Sequence, residues 1–306
     1  MGDPWHVLGC GAMGSLFATQ LARAGREVVL LPRRSPAWPG PIALTLEGLS
    51  RGRWQLPWEE RATPSPIEQV LVFTKAHDIA DAVAGIAHRL GPTSRIVLMA
   101  NGMGFVEELA QRLPALAPLQ GTTTQGAWRD DAGAVHHAGH GTTRIGRPGE
   151  RAAPAWFAAF ANAIPDCQWE SDIASALWLK LAINCAINPL TAIHRCRNGE
   201  LAKRSDLAAQ VRQLCAEITA VSAAAGLGPA VAGLEARVFA VIATTAGNRS
   251  SMLQDISAGR RSEIDYINGY LAGVAHHHGV EAPLNHNLWL QVKQRERDAA
   301  PPQGSL

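Results

Sequence analysis

The chain opens on a short apolar run, His6 to Leu8, that stops at Gly9-Cys10-Gly11-Ala12-Met13-Gly14. Ser15 to Ala24 then patterns as a helix closed by Gly25, and Glu27 to Leu31 as a second strand. Strand, glycine-rich turn, helix and strand in this compass form a right-handed βαβ unit. Ile42–Leu46 and Arg53–Leu56 pattern as a hairpin. Val70–Thr74 reads as a buried strand ending at Lys75, and a helix is predicted over 78–90. Arg95–Ala100 is another strand, ending in Asn101-Gly102-Met103-Gly104. Leu119–Thr124, Ala134–His137 and Thr143–Gly146 pattern as further, antiparallel strands, Ala155–Ala163 as a helix and Cys167–Glu170 as a last strand. From about Ser171 the rhythm changes to long Ala/Leu-rich stretches. Leu207–Ala225, Val231–Thr244, Ile264–His278 and Leu288–Arg297 read as helices.

Trp178 to Leu190, W-L-K-L-A-I-N-C-A-I-N-P-L, is apolar around most of a helical circumference. The exceptions, Lys180, Asn184 and Asn188, recur at i, i+4 and i+8 and so share one narrow stripe. A helix apolar nearly all round belongs in an interior, where an ammonium and two amides need partners. The stripe is therefore expected to line a polar cleft. Pro189 disfavours helical geometry at Asn188, so the helix is expected to break there.

The glycines have the spacing of a dinucleotide fingerprint: Gly9 for the tight turn, Gly11 for close approach of a pyrophosphate, Gly14 for packing of helix on strand. The helix start behind them, with Cys10, Ala12 and Met13 in the same turn, offers N–H groups and positive dipole to phosphates. The second strand ends in Leu31-Pro32-Arg33-Arg34, with no acid placed to hold a ribose 2′-hydroxyl. A guanidinium suits the 2′-phosphate instead, so NADP(H) is the expected cofactor. Lys75 and Asn101 both sit past the carboxyl end of a strand, where ligands of open parallel sheets bind. These features predict an α/β N-terminal Rossmann-type dinucleotide-binding domain over 1–171. An all-α C-terminal domain, carrying substrate-binding and catalytic residues, is predicted over 172–306.

Composition narrows the classes of function. A net charge of +2 gives no reason to expect nucleic acid or an anionic membrane as partner. The five cysteines form no CxxC pair, and the first residues lack the basic start and apolar run of a secretory signal, so reduced cytoplasmic thiols are expected. No uncharged apolar stretch of about 18 residues occurs, so no membrane span is expected; residues 174–193 come nearest. His276-His277-His278 cannot converge on one ion from consecutive helical positions, and no metal is expected. The tail Asp298–Leu306 is expected to fray.

Two further motifs lie in the second half. In Arg249-Ser250-Ser251-Met252, either hydroxyl suits a helix N-cap or a substrate carboxylate. Glu263 and Asp265 stand two residues apart, so at most one of them faces the cleft.

Taken together, these motifs resemble the bacterial ketopantoate reductase family. The resemblance is carried by G-C-G-A-M-G at 9–14, Lys75, N-G-M-G at 101–104, G-T-T-T at 121–124, W-L-K-L-A-I-N-C-A-I-N-P-L-T-A-I at 178–193, N-G-E-L at 198–201, S-S-M-L-Q-D-I at 250–256 and E-I-D-Y-I-N-G at 263–269. It implies NADPH-dependent reduction of 2-dehydropantoate to (R)-pantoate, on the route to pantothenate and coenzyme A. It further implies Lys180 as general acid, Glu263 as the carboxylate that places it, and Asn101, Lys180, Asn184, Asn188 and Ser251 as substrate contacts. Lys75 and Asn101 would lie near the nicotinamide ribose. Arg33 falls on the 2′-phosphate arginine, with Arg34 as its competitor. The implied enzyme is a cytoplasmic monomer or homodimer acting on a small molecule. A reductase of another branched 2-oxo acid and a non-catalytic NADPH-binding regulator are the alternatives.

Overall fold

In the computed structural model, residues 3–38 and 40–299 are described. The chain divides into two compact units: residues up to Ala100 with Phe105–Ala176, and Asn101–Gly104 with the chain from Leu177 onward.

The first unit begins β1 (Trp5–Leu8), α1 (Ala12–Arg23), β2 (Val28–Leu31), the hairpin β3 (Ile42–Gly48) and β4 (Gly52–Leu56), and β5 (Ile67–Val72). It continues α2 (Ile79–Ala84), β6 (Leu90–Leu98), α3 (Phe105–Arg112), β7 (Leu119–Thr123), β8 (Gly126–Arg129), β9 (Val135–Gly139), β10 (Thr143–Gly146), α4 (Phe157–Ala161) and β11 (Cys167–Trp169). A seven-stranded sheet runs β11-β10-β7-β6-β5-β1-β2, and a four-stranded sheet runs β4-β3-β9-β8. From β2 through β7 the neighbours in the large sheet are all parallel, while β10 is antiparallel to β7. After β1 the chain pairs first on one side, as β2, and later on the other, as β5. The carboxyl ends of β1 and β5 therefore flank the topological switch point, where such sheets bind ligands. Apolar α1 side chains (Leu16, Phe17, Leu21) and strand residues (Val7, Leu30, Leu71) are fully buried here. Burial of apolar area of this kind is the main stabilising contribution.

Two expectations change in this unit, and two elements are added. The helix expected over 78–90 is only α2, flanked by 3₁₀ turns at Ala76–Asp78 and Ala87–Arg89. The second turn carries the fully buried Arg89 guanidinium to the carbonyl oxygens of Ser65 (2.7 Å) and Glu60 (3.3 Å), a fixed long-range demand that a regular helix does not meet. The strands expected to be antiparallel are mixed, since β7 lies parallel to β6 and β9 parallel to β3. Strand β8 and helix α3 were not marked by the pattern.

The second unit contains most of α5 (Ile173–His194), with α6 (Glu200–Lys203), α7 (Ser205–Ala224), α8 (Leu234–Thr244), α9 (Ser251–Ser257), α10 (Asn268–His277) and α11 (Pro283–Ala299). Trp178, Leu181, Cys185 and Leu190 of α5 join a core with Leu214, Ile218 and Leu271. Trp178 Nε1 donates to Ser222 Oγ at 2.8 Å, so the indole is buried with its polar atom satisfied. By length and composition α5 is apolar enough to cross a membrane, but two-thirds of its most apolar stretch is buried, as in a core helix.

The break expected at Pro189 does not occur: α5 runs through it. A proline lacks the N–H that would bond the carbonyl four residues back, here that of Cys185. Asn268 Nδ2 donates to the Cys185 oxygen at 3.2 Å and to Asn285 Oδ1 at 3.0 Å, so the orphaned carbonyl is satisfied from α10. Of the tail expected to fray, 298–299 end α11 and 300–306 lie outside the described residues.

Candidate active site

The glycine turn in the first unit is shaped by backbone rather than side chains. Gly9 has φ +101°, and a Cβ there would lie 2.6 Å from Thr74 N. A Cβ on Gly14 would lie 2.0 Å from Gly9 O. Both positions exclude any side chain, so β1, α1 and the end of β5 close on one another. Gly11 differs: a Cβ there would meet nothing within 4 Å. It is the N-cap of α1, without a capping side chain, and the first turn carries no acid. The N–H groups of that turn have no intrahelical acceptor and favour an anion. The turn thus fits the pyrophosphate of a dinucleotide, with Gly9, Cys10, Gly11, Ala12, Met13 and Gly14 as the residues that would hold it. Burial pushes the Cys10 thiol up to about 11, so it is a neutral spacer at physiological pH. Lys75, half-buried, follows directly on the Thr74 contact, and its carbonyl accepts from Asp78 N at 2.9 Å.

Past β2 the side chains are basic. Arg33 and Arg34 are exposed, and Arg33 Nη1 lies 3.7 Å from Asp78 Oδ2. Two more arginines reach this region from distant sequence. Arg129 on β8 donates through Nη2 to Cys10 O and to Ser15 Oγ, both at 2.8 Å. Arg61 interacts electrostatically with Arg33, Asp78 and Cys10. The local pattern at 61 and 129 carries no signal of this, because long-range pairing alone brings them here.

The second unit assembles the other candidates. Lys180, Asn184 and Asn188 follow one line along the unbroken α5, the first two half-buried and the third buried. Burial pulls the Lys180 ammonium down from 10.5 to about 8, and the Glu263 carboxylate opposes the shift. Glu263 is itself only 5% exposed and accepts from Asn101 Nδ2 at 3.0 Å. Asn101 is brought there by its own loop. Gly102 has φ +88°, and a Cβ on it would lie 2.3 Å from Tyr266 O, while Met103 N donates to that same oxygen at 2.8 Å. The N-G-M-G segment is thus a docking loop for the 3₁₀ turn Ile264–Tyr266 rather than a free turn. Asp265 points elsewhere, accepting from Trp289 Nε1 (2.8 Å) and pairing with Lys293 (2.8 Å) and Arg261 (3.1 Å). Of the two acids in this motif, Glu263 alone joins the Lys180 group.

Ser250 and Ser251 separate just as clearly. Ser250 caps α9, its Oγ accepting from Leu253 N at 3.0 Å and from Thr191 Oγ1 at 2.7 Å. Ser251 is the exposed first residue of that helix.

Each unit supplies parts that a carbonyl reductase needs: the first a dinucleotide turn, the second a half-buried lysine of lowered pKa with a carboxylate that an amide holds. Comparisons with known proteins agree. The family profile described as ketopantoate reductase PanE/ApbA matches residues 5–150, and its C-terminal counterpart matches residues 172–296. A 2-dehydropantoate 2-reductase from Shigella flexneri is 38% identical over 294 residues, covering 95% of this chain and 95% of that protein. The solved PanE/ApbA family ketopantoate reductase from Ralstonia eutropha JMP134 is 27% identical, with TM-score 0.84 over 97% of this chain and 99% of that one. A D-mandelate dehydrogenase, solved with NADH and anilino(oxo)acetate, shares the fold with TM-score 0.85 at 22% identity, over 97% and 99% of the two chains. The chain belongs to the ketopantoate reductase family of oxidoreductases.

Proposed function

We propose that the protein reduces the 2-oxo group of 2-dehydropantoate to give (R)-pantoate, with NADPH as reductant, in the biosynthesis of pantothenate and coenzyme A. The observation that carries this reading is the half-buried Lys180 with a pKa near 8, acted on by Glu263, whose carboxylate accepts from Asn101. A general acid works best when its pKa lies near the operating pH, and burial brings the lysine into that range. A bound nicotinamide supplies hydride to C2.

Lys180, as ammonium, donates a hydrogen bond to the C2 oxygen and gives up its proton as the alkoxide forms. Glu263 keeps the ammonium charged until then, and Asn101 Nδ2 fixes the carboxylate in place. After product leaves, water restores the proton on Nζ. Asn184 and Asn188 supply amides to the substrate's hydroxyl and carboxylate, and Ser251 adds a hydroxyl. A site built of such groups penalises substrates that leave them unpaired. Lys75 and Asn101 would hold the nicotinamide ribose, and Arg33 would hold the 2′-phosphate. The enzyme is placed in the cytoplasm as a monomer or homodimer, without nucleic-acid or membrane partners.

Two observations favour testing a second substrate and cofactor. Asp78 stands beside Arg33, and a D-mandelate dehydrogenase solved with NADH shares the fold. A panel of 2-oxo acids, including ketopantoate and phenylglyoxylate, assayed with NADPH and NADH decides the matter. Consumption of NADPH with ketopantoate in clear preference supports the proposal. Preference for another 2-oxo acid replaces the substrate, and no consumption with any acid leaves a non-catalytic nucleotide-binding protein.

A further inference from the structure

The end of β2 is extended by a segment from a distant part of the chain. Leu30 and Trp58 form a parallel bridge, with Leu30 N donating to Pro57 O at 2.9 Å and Glu59 N donating to Leu30 O at 3.0 Å. Parallel register advances both chains together. Arg33 and Arg61, each three residues past its bridged partner, are therefore carried to the same carboxyl edge of the sheet.

The segment holding Arg61 is pinned. Arg89 Nε donates to Ser65 O at 2.7 Å, its Nη1 to Glu60 O at 3.3 Å and its Nη2 to Ser65 Oγ at 3.0 Å, and it pairs with Glu59. Ser35 Oγ donates to Glu60 Oε1 at 3.0 Å, tying the Arg33 loop to the same turn. The Arg61 stem passes beside Gly85, its Cδ 3.9 Å from where a Cβ would stand.

Among the described residues, buried Arg61 Nε has no hydrogen-bond partner. Burial and the neighbouring Arg33 cation both push the Arg61 guanidinium below its usual pKa, with Cys10 and Asp78 opposing. Asp78, the acid that acts on Arg61, already lies 3.7 Å from Arg33. Two guanidinium groups repelling each other, one with an unanswered buried N–H, form a site short of an anion.

We infer that Arg61 is a second phosphate-binding residue, which with Arg33 clasps the 2′-phosphate of NADPH and sets the preference for NADPH over NADH. This deepens the proposed function and rests on its choice of NADPH.

The test is calorimetric titration with adenosine 2′,5′-bisphosphate and with AMP, ligands that differ only in the 2′-phosphate. Wild type, Arg61→Gln, Arg61→Lys and Arg33→Ala are compared. Glutamine keeps much of the stem beside Gly85, and an unchanged AMP affinity shows that the pocket is intact. The expected result for Arg61→Gln is a loss of about 10- to 100-fold for the bisphosphate, the range of a charge-assisted hydrogen bond, with AMP unchanged. Arg61→Lys restores part of that loss, as a point charge without the fork. If Arg61→Gln keeps the wild-type ratio while Arg33→Ala abolishes it, Arg61 has no such role and the NADPH reading stands. If wild type itself shows no preference for the bisphosphate, the NADPH reading fails, and this inference with it.

Discussion

Replacing Lys180 by methionine should change the pH dependence of stability as well as activity. The native ammonium titrates near 8, against 10.5 for an unperturbed lysine. Between those values the unfolded chain holds a proton that the native state has lost, so wild-type stability rises with pH. Each pH unit in this window contributes about 1.4 kcal/mol, and the whole window about 3 kcal/mol. Below about 8 both states are protonated and the penalty of the buried cation is fully present; above 10.5 it is gone. Methionine has no proton to exchange, so the variant should lack this rise. The absolute stability of the variant is a poorer guide, because removing the lysine leaves the 5% exposed Glu263 without its cation. Urea unfolding of both proteins, followed from neutral pH to above the free-lysine value, isolates the slope. Equal slopes in wild type and Lys180→Met would show that Lys180 keeps an ordinary pKa, and would remove the physical basis for its role as acid.

Turnover should follow the same group. The reductive rate should be flat below about 8 and fall above it, because the acid form is consumed; a rate that rises through this range contradicts the assignment. Glu263→Gln removes the charge that raises the Lys180 pKa, so the falling limb should move to lower pH, read from the same profile. Gly14→Ala places a Cβ 2.0 Å from Gly9 O, so thermal unfolding should show a loss of about 1–3 kcal/mol and nucleotide fluorescence a loss of binding. Asn268→Ala should cost about 1–3 kcal/mol by orphaning the Cys185 carbonyl beneath Pro189. The Pro189→Ala background restores an N–H to that carbonyl and should shrink the loss; a double-mutant cycle with no coupling would refute the repair.

What was legible in the sequence was local. The turn at Gly9, Gly11 and Gly14 could be read because tight turn, open approach and close packing each constrain one residue type within six positions. The line of Lys180, Asn184 and Asn188 followed from one helical period. What escaped was set by distant partners. Arg89 interrupts an expected helix because its guanidinium must reach carbonyls of Glu60 and Ser65. Pro189 leaves α5 intact because Asn268, from another helix, replaces the missing donor. Asn101 is marked in the sequence by its place past a strand end, but the docking of its loop on Tyr266 and the contact of its amide with Glu263 are long-range and leave no local mark. Arg61 and Arg129 carry no local mark, since only strand pairing brings them to the glycine turn and the end of β2.

The most direct measurement is kcat with saturating ketopantoate and NADPH for wild type and Lys180→Ala, paired with the Kd of each protein for NADPH. A general acid acted on by Glu263, itself held by Asn101, predicts a fall in kcat of about 10²–10⁴-fold, with the Kd unchanged. Near-wild-type turnover in the variant would contradict Lys180 as the proton donor, and no turnover by wild type would contradict the reaction itself.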